Sequence, residues 1–387
     1  MKPTKSRLLY VHSSSDLWGS DRCLCHMLER VDRDKYEPSV ILPWPGPLSQ
    51  RIESLGIRVR YPPCMSIIRR FRNPVHYATY FAKLALELAW LIALLKRERV
   101  AIVHVNTSSL MGPLLAARLC RIPVICHVRE IRTRPRLVGC ALATTINFLA
   151  DHVIAISSAV AQYMSEAWVK PRSLEIIHDG LDTSSRNGSV DPHALLRDIP
   201  ADHPVVSVIG RITYLKGVHV FVTAAREILR RLPNTHFLIV GTGDTEDARQ
   251  YERELRQEVQ TSGLSHRVLF TGFVPDVDAI LSKTDVLVLP SVYPEGFGMV
   301  AIEAMSAGKP VIATAHGGPR DIIREGREGF LVAPNDPMQL AQRISLLIEN
   351  PQLRAEMGRR ARRRVASRFQ ICETMTSLHK TYQKVVV

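Results

Sequence analysis

Two glutamates, Glu295 and Glu303, stand eight positions apart in the segment SVYPEGFGMVAIEAMSAGKP, residues 291–310. A proline and two glycines around Glu295 exclude regular helix before about Met299, and a Gly-Lys-Pro sequence from Gly308 ends the helix-forming run that follows. Glu295 is therefore predicted in a loop and Glu303 in a helix. At a rise of about 1.5 Å per residue, their carboxylates lie on the order of 10 Å apart. That separation is too long for most acid/base dyads and suits the two ends of one elongated ligand.

The start of this helix is a predicted anion site. The first amides of a helix have no intrahelical partner, so those of Phe297, Gly298, Met299 and Val300 would point at a phosphate between the two glutamates. A capped surface helix with two solvated carboxylates is the alternative interpretation of this segment by itself.

A second loop carries positive charge. The sequence GRITYLKG follows the predicted strand 205–209 and presents Arg211 and Lys216 at the start of the next helix. Two cations beside a helix N-terminus can hold a diphosphate, and solvated basic side chains are the alternative.

Weaker signals come from the ends of other strands. Gly19 precedes a predicted helix, where backbone can approach a ligand closely. His127 lies at the polar end of the predicted strand 123–128, and a histidine with a purely structural role is the alternative there. Gly241 and Gly243 follow another strand without the spacing of a dinucleotide fingerprint, so NAD binding is poorly supported.

The sequence predicts no metal site. Asp276-Val-Asp278 spells a D-x-D motif by which some enzymes hold a divalent metal, but it follows a proline at a predicted helix start, where acids cap free amides. No cluster of His or Cys offers another site. The seven cysteines form no C-x-x-C pair and are interpreted as reduced thiols.

Short β-branched runs alternate with helical stretches along the whole chain, which predicts parallel sheets wrapped by helices. The polar, breaker-rich residues 183–204 separate two such halves and are typical of a hinge. The fold class is therefore α/β, with two doubly wound Rossmann-like domains facing a cleft. They are predicted at residues 1–185 and 186–365, and a last helix of about residues 366–387 follows them.

Composition bounds the location and the partners. With 46% hydrophobic and 23% charged residues over 387 positions, the chain is globular and long enough for two domains. The apolar run after Arg7 is too short for a signal-peptide core, so a cytoplasmic protein is expected. Residues 1–185 hold 25 Lys and Arg against 15 Asp and Glu, which favours an anionic membrane surface or a phosphorylated acceptor as partner. Nucleic acid is not expected, because aromatic residues do not interleave with the basic ones.

Residues 78–95, ATYFAKLALELAWLIALL, are the strongest membrane candidate. Lys83 and Glu87 interrupt the run as an expected i,i+4 helix-surface pair, so a spanning segment is not predicted. Two interpretations remain: a core helix packed on a sheet, or an interfacial helix with Tyr80 and Trp90 at headgroup level. A second basic run, Arg359–Arg364, is interpreted as a solvated helix face.

Together GRITYLKG, IVGTG, VLFTGFV, the Glu295–Glu303 segment and AHGGPRDII resemble, in order and spacing, the C-terminal domain of GT4-type retaining glycosyltransferases of the GT-B fold. The resemblance is dense over residues 204–334 and extends more loosely to WGSDR, HVNTS, HVREI, AISSAV and IHDGLD in the first half. WGSDR departs from a more usual Gly-Gly pair followed by an acid, and Asp321 stands where Glu is common.

The resemblance implies a role for each site residue and a final helix that crosses back onto the first domain. Glu295 would hold the hydroxyls of the transferred sugar, and Glu303 the ribose of the nucleotide. The remaining implied contacts are the amides of Gly296 to Met299 on sugar and phosphate, Arg211 and Lys216 on the diphosphate, His127 on the sugar, Gly19 on donor or acceptor, and Gly241 and Gly243 in the donor site.

The sequence is compatible with three functions. The first is a metal-independent enzyme that moves a sugar from a nucleotide-sugar donor to a glycan or lipid-linked acceptor with retention of configuration, in cell-surface polysaccharide or lipopolysaccharide biosynthesis, peripheral on the inner face of the cytoplasmic membrane. The second is another GT-B enzyme, such as a sugar phosphorylase or a nucleotide-sugar epimerase. The third is a non-catalytic binder of acidic polymers. The Glu295–Glu303 spacing beside Arg211 and Lys216 favours the first.

Overall fold

The computed structural model describes residues 5–68, 74–132, 135–182, 196 and 199–386. The chain divides into two compact units, Met1–Gly180 with Ile371–Val387, and Leu181–Gln370. The two boundaries between these units lie about five residues from the predicted ones. The amide of Leu181 donates a hydrogen bond to the carbonyl of Phe369, and the segments around both residues belong to the second unit. Most of the predicted hinge, residues 183–195 and 197–198, lies outside the described residues.

The first unit contains a seven-stranded sheet in which every neighbouring pair is parallel. Its strands are β1 (Ser6–Val11), β2 (Tyr36–Ile41), β3 (Arg58–Arg60), β4 (Ile102–Val105), β5 (Val124–Val128), β6 (His152–Ala155) and β7 (Leu174–Ile176), in the order β3-β2-β1-β4-β5-β6-β7. Its helices are α1 (Gly19–Glu29), α2 (Pro47–Ser54), α3 (Pro74–Arg97), α4 (Gly112–Leu119), α5 (Arg136–Leu149) and α6 (Ser158–Ser165).

The short β-branched runs of the first half predict every strand of this sheet except β3; they are LLYVH, SVIL, AIVHV, PVICHV, HVIAIS and LEIIH. The missed strand is three residues long, and arginines flank its single valine. Because β3 lies at the sheet edge beside β2, it needs no continuous apolar run to be stable there. The interior strands β4, β5 and β6 are buried at every position, as parallel strands covered on both faces should be.

The second unit repeats the architecture with a six-stranded, fully parallel sheet. Its strands are β8 (Val205–Ile209), β9 (His236–Val240), β10 (Val268–Gly272), β11 (Val286–Leu289), β12 (Val311–Thr314) and β13 (Gly329–Val332), in the order β10-β9-β8-β11-β12-β13. Its helices are α7 (Val218–Leu229), α8 (Glu246–Thr261), α9 (Val277–Lys283), α10 (Met299–Ser306), α11 (Pro319–Ile322), α12 (Pro337–Glu349) and α13 (Pro351–Arg368). The predicted fold class, two doubly wound α/β domains, is confirmed.

The last helix, α14 (Ile371–Val386), belongs to the first unit. Its Tyr382 is fully buried, and the phenol oxygen lies 2.8 Å from both the Tyr10 hydroxyl and His104 Nδ1. Burial raises the pKa of Tyr382, so the phenol stays neutral and can take part in both hydrogen bonds. A buried and satisfied polar contact of this kind fixes where the helix docks.

Helix α3 is mostly exposed although it is apolar. It is long and apolar enough to span a bilayer by length and composition, yet only 22% of its most apolar window is buried. Val75, Phe81 and Leu86 are 65%, 60% and 63% exposed, whereas the buried residues, such as Leu91 and Leu94, lie toward the C-terminal end. The interpretation of this segment as a core helix is therefore wrong for most of its length.

The predicted surface pair between Lys83 and Glu87 is also wrong, because Glu87 faces inward and is 1% exposed. Its carboxylate accepts hydrogen bonds from the amide of Ser66, at 3.0 Å, and from the Ser66 hydroxyl. Burial raises the pKa of Glu87, and the two hydrogen bonds from Ser66 only partly offset that rise.

We expect Glu87→Gln to raise the melting temperature at pH 8. A raised pKa in the folded state means that folding favours the protonated carboxyl, so this contribution is present below the unfolded pKa of about 4.3 and is lost as the pH rises through the folded pKa. The advantage of the variant should therefore shrink toward pH 4 in thermal melts. Glu53→Gln, which removes an exposed carboxylate from α2, is the control. An advantage of Glu87→Gln that is the same at both pH values would contradict the assignment.

Candidate functional site

The strand order of the second sheet reverses between β8 and β11, which are neighbours in the sheet. In doubly wound sheets, ligands bind beyond the carboxyl ends of the strands at such a reversal. The loop after β8 carries Arg211 and Lys216, and the loop after β11 carries Glu295. The two charged segments that the sequence predicted separately therefore emerge side by side.

Main-chain contacts hold these two loops together. The amide of Val292 donates to the carbonyl of Leu215 at 3.0 Å. Gly217 adopts φ 67°, and a Cβ atom there would lie 2.0 Å from the carbonyl oxygen of Pro290. Only glycine allows both this left-handed conformation and so close an approach. The neighbouring Lys216 is thereby fixed beside the β11 loop.

Lys216 and Glu295 form an ion pair, with 2.8 Å between Nζ and Oε1. Their side chains are 34% and 12% exposed, and the Ser291 hydroxyl donates to the same carboxylate oxygen. Burial acts to raise the pKa of Glu295, but the Lys216 ammonium, the Ser291 hydroxyl and the nearby His316 outweigh it and hold the pKa below its ordinary value. Glu295 is therefore an ionised acceptor at neutral pH.

The loop after β12 supports Glu295 from the other side. The amide of Gly318 donates to the carbonyl of Glu295 at 2.9 Å. The carbonyl of Ser291 accepts from the Thr314 hydroxyl at 2.9 Å and lies 2.8 Å from His316 Nε2. Since a carbonyl oxygen can only accept, His316 Nε2 carries a proton in this contact. Loops from three neighbouring strands thus fix the position of one carboxylate.

Helix α10 begins at Met299 and ends at Ser306, so the predicted helix is confirmed. Gly298 precedes it with φ 109°, a conformation that few residues other than glycine adopt. The first intrahelical hydrogen bond runs from the amide of Ala301 to Gly298, at 2.9 Å, so Met299 and Val300 form the helix entry. Glu303 lies within the helix and is 3% exposed.

The other residues of the predicted anion site differ in burial. Gly296, Met299 and Val300 are half-buried. Phe297 is buried, and its ring meets that of Phe369 edge-on at 5.8 Å between centroids. The Phe297 side chain therefore anchors the loop in the hydrophobic interior, and its backbone remains with the helix entry.

Arg211 lies on the β9 side of the same loop and pairs with Asp244, with 2.8 Å between Nη1 and Oδ2. It lines one small pocket together with Lys216, Ser291 and Glu295. The predicted pair of cations therefore borders one space, although the two side chains turn toward different neighbouring loops.

Gly241 and Gly243 follow β9. The amide of Gly241 donates to the carbonyl of Gly272 at 2.8 Å, and the amide of Gly243 donates to Glu252 Oε2 at 2.9 Å. A structural partner thus occupies each amide, and the predicted donor contacts of both glycines stay predictions.

His127 and Gly19 lie in the first unit. His127 is fully buried on β5, and neither ring nitrogen has a hydrogen-bond partner among the described residues. Burial, with Arg129 and His104 adding repulsion, lowers the pKa of His127, so the ring is neutral. Gly19 is the first residue of α1, whereas the sequence placed it just before the helix. Their contacts with donor or acceptor stay predictions.

A buried polar chain in the first unit was not found from the sequence. His12 Nε2 lies 2.7 Å from Asp21 Oδ1, and His12 Nδ1 lies 3.1 Å from Asn106. Arg129 Nε donates to Asn106 Oδ1 at 2.8 Å and its two terminal nitrogens donate to Asp179. These residues follow different strands, so this series of hydrogen bonds connects the ends of several strands of the sheet. Asp21 also accepts from the amide of Trp18 at 2.8 Å, which defines the unusual WGSDR turn.

Two residues of the second-unit site were also missed, Ser291 and His316. Each follows a strand of the sheet closely, which is the position that marked the other candidates. Their polar side chains directly after a strand are the sequence signal that could have identified them. Asp276 accepts from the amide of Asp278 at 3.0 Å at the start of α9, so its predicted capping role is confirmed. Within the described residues, no group of three or more metal-ligating side chains is present.

Sequence models of two protein families match the chain. The model described as glycosyl transferases group 1 matches residues 197–364, and the one described as glycosyltransferase family 4 matches residues 19–185. Together they cover most of both units. The chain belongs to the GT4-type glycosyltransferases. The predicted family is confirmed, and with it the activity class of a transferase.

Similar proteins extend over most or all of this glycosyltransferase. It is 24% identical to the UDP-Gal:α-D-GlcNAc-diphosphoundecaprenol α-1,3-galactosyltransferase of Escherichia coli over 100% of both chains. It is 26% identical to an uncharacterized glycosyltransferase of Methanocaldococcus jannaschii over 78% of this chain and 80% of that protein. The structure of Anabaena HepE in complex with UDP and glucose superimposes with a TM-score of 0.83 at 24% identity, covering 97% and 99% of the two chains. This structural likeness supports the GT-B fold.

Proposed function

We propose that this glycosyltransferase transfers a sugar from a nucleotide-sugar donor to a glycan or lipid-linked acceptor with retention of anomeric configuration. The observation that carries the donor assignment is the Lys216–Glu295 pair at the strand-order reversal. A cation and a carboxylate 2.8 Å apart offer complementary contacts to the diphosphate and the hydroxyls of one nucleotide sugar. The similar HepE was solved with UDP and glucose, which is the same ligand chemistry.

Charge development explains what these residues would do. Breaking the anomeric C–O bond leaves a diphosphate anion, and preorganised cations stabilise charge that grows only as the bond breaks. Lys216 is fixed in place by its loop, and Arg211 borders the same pocket. The entry of α10 adds helix-end amides. We propose front-face displacement, in which the leaving phosphate helps to take the acceptor proton and no protein nucleophile or metal ion takes part.

The buried imidazole of His127 supports a ligand near the end of β5. An unpartnered buried polar group costs free energy unless a ligand or ordered water satisfies it. We propose that His127 contacts the transferred sugar, as the family resemblance implies.

The test is product formation from a panel of nucleotide sugars, first ranked by thermal shift. We expect acceptor-dependent transfer, with the anomeric configuration of donor and product identical by NMR and activity retained in EDTA. Inversion would contradict the proposed mechanism, and loss of activity with chelator that is restored by a divalent ion would contradict metal independence. Conversion of donor without acceptor would identify an epimerase, and release of sugar 1-phosphate on adding phosphate would identify a phosphorylase.

We propose a lipid-linked acceptor of cell-surface polysaccharide or lipopolysaccharide biosynthesis, reached from the cytoplasmic face of the membrane. The similar Escherichia coli enzyme is named for a diphosphoundecaprenol acceptor. Residues 1–185 carry ten more basic than acidic residues, and α3 exposes a long apolar surface. Apolar residues bounded by basic ones favour an anionic interface.

We therefore expect Phe81→Ser with Leu86→Ser to reduce cosedimentation with anionic liposomes. Both side chains are at least 60% exposed, so the fold should not depend on them. Wild-type binding should rise with anionic lipid content and fall at high salt, because each basic residue near the surface contributes about 1 kcal/mol. Met338→Ser, an equally polar change at an exposed position of the second unit, is the control. Binding that ignores lipid charge, or that the double variant retains in full, would contradict membrane docking through α3.

A further inference from the structure

A cavity of about 380 Å³ in the second unit is lined almost entirely by arginine. It lies between α13 and the turn that precedes β13. The basic run of α13 is therefore not simply a solvated helix face, since three of its arginines line this cavity. The lining residues are Arg324, Arg327, Arg360, Arg363, Arg364, Arg368 and Ser367.

Few of these guanidinium groups are neutralised by the protein. Glu328 is fully buried and pairs with Arg324, with 2.9 Å between Oε1 and Nε. Glu356 pairs with Arg360. The other four arginines make no ion pair with a carboxylate in the part of the chain that the structure describes. Among the described residues, the six arginines of the cavity lining therefore form ion pairs with only two carboxylates, which leaves an excess of four positive charges.

The surroundings of Arg364 disfavour its charged form. Its side chain donates to the carbonyls of Ile322, at 2.6 Å, and Asp321, at 2.7 Å, which hold it inside the cavity wall. Burial lowers the pKa of Arg364, and repulsion from the neighbouring arginines adds to this, against the opposing effect of Glu328. An anion bound in the cavity would remove that repulsion.

Size and charge indicate the class of anion. The volume is within the range of small-molecule sites, roughly 300–1,000 Å³. Guanidinium groups bind phosphate through paired hydrogen bonds, so several arginines in one concavity favour several phosphate oxygens. An excess of four positive charges is more than one inorganic phosphate would neutralise.

We propose that this arginine pocket binds an anion that carries two or more phosphate groups, either free in solution or as a lipid headgroup. None of its lining residues belongs to the pocket of Lys216 and Glu295, so it is a second site. The proposal does not depend on sugar transfer.

The decisive variant changes the three exposed arginines of the lining that form no ion pair with a described residue: Arg327→Gln, Arg363→Gln and Arg368→Gln. Since they hold no carboxylate, the fold should be unaffected, which circular dichroism and the melting temperature check. Arg359→Gln is the matched control, because it removes an exposed charge from the same helix outside the pocket lining.

Isothermal titration with tripolyphosphate at low salt measures the site. We expect binding to the wild type and to Arg359→Gln, and a loss of affinity of about tenfold for each arginine removed in the triple variant. Lys216→Ala separates this site from the donor site and should retain the pocket binding. Unchanged affinity in the triple variant, or loss in Lys216→Ala alone, would overturn the proposal.

Vesicles distinguish the two sources of the anion. Phosphatidylcholine vesicles with and without cardiolipin, which carries two phosphates, are cosedimented with each variant. Capture by cardiolipin that the triple variant loses assigns a lipid headgroup, whereas tripolyphosphate binding without such capture assigns a soluble ligand. A wild-type protein that binds neither tripolyphosphate nor cardiolipin vesicles would overturn the proposal.

Discussion

Replacement of Glu295 by glutamine should nearly abolish sugar transfer and leave the fold intact. Glutamine keeps the shape of the side chain but removes the charge that Lys216 and Ser291 stabilise. In the proposed site, Glu295 accepts hydrogen bonds from hydroxyls of the transferred sugar. Such hydrogen bonds strengthen in the oxocarbenium-like transition state, so their loss acts on turnover. We expect kcat to fall by about a hundredfold or more, as for other preorganised polar contacts.

Stability should change far less than activity in this variant. The side chain of Lys216 is 34% exposed, so its ammonium can be hydrated when its partner is neutral. Steady-state kinetics and a thermal melt on the same preparation check both statements. The control is Glu258→Gln, which breaks a surface pair with Arg226 in the same unit. Turnover of Glu295→Gln near the wild-type value would remove Glu295 from the donor site.

Replacement of Lys216 by alanine should lower kcat more than it raises KM for the donor. The charge of the leaving diphosphate grows in the transition state, so a fixed cation contributes more there than in the ground state. We expect a loss in kcat of about 10²–10³-fold. Arg211→Ala should act in the same direction with a smaller effect, because Arg211 is 48% exposed and already pairs with Asp244.

The pH profile of Lys216→Ala provides a second readout. Lys216 is the strongest of the groups that lower the pKa of Glu295, and burial would raise it. Without the cation, the Glu295 carboxyl should be protonated at higher pH than in the wild type. The acidic limb of the kcat/KM profile should therefore move upward in pH, and Lys216→Arg should largely restore it. Arg230→Ala, an exposed arginine of the same unit, should leave both kinetics and profile unchanged. An equal loss in kcat and in donor affinity would indicate simple binding.

The local sequence pattern was sufficient to predict most strands and helices and the ends of several helices. Strands such as residues 124–128 and 286–289 are buried on both faces, so their sequences are continuously apolar and can be recognised as strands. The limits of α10 followed from the glycine before it and from Gly308 after it, since these residues act through their own backbone dihedrals. Asp276 likewise caps the helix that it begins.

The short edge strand β3 and the orientation of Glu87 could not be predicted in the same way. A three-residue strand carries too little pattern, and its stability comes from pairing with β2. Helical spacing placed Glu87 next to Lys83, but the tertiary structure supplies a buried partner, Ser66, that lies 21 positions away. The spacing of residues along one helix does not indicate which face of that helix another segment of the chain covers.

The sequence by itself determined the fold class, the family and the local framework of the Glu295 loop, because periodicity, helix ends and motif order depend on neighbours in the chain. The tertiary structure decided that Lys216 meets Glu295 across 79 positions and that the arginines of α13 face Arg324 and Arg327. These contacts depend on strand order and helix packing. Both arise from pairing and burial between distant segments, which no local pattern encodes.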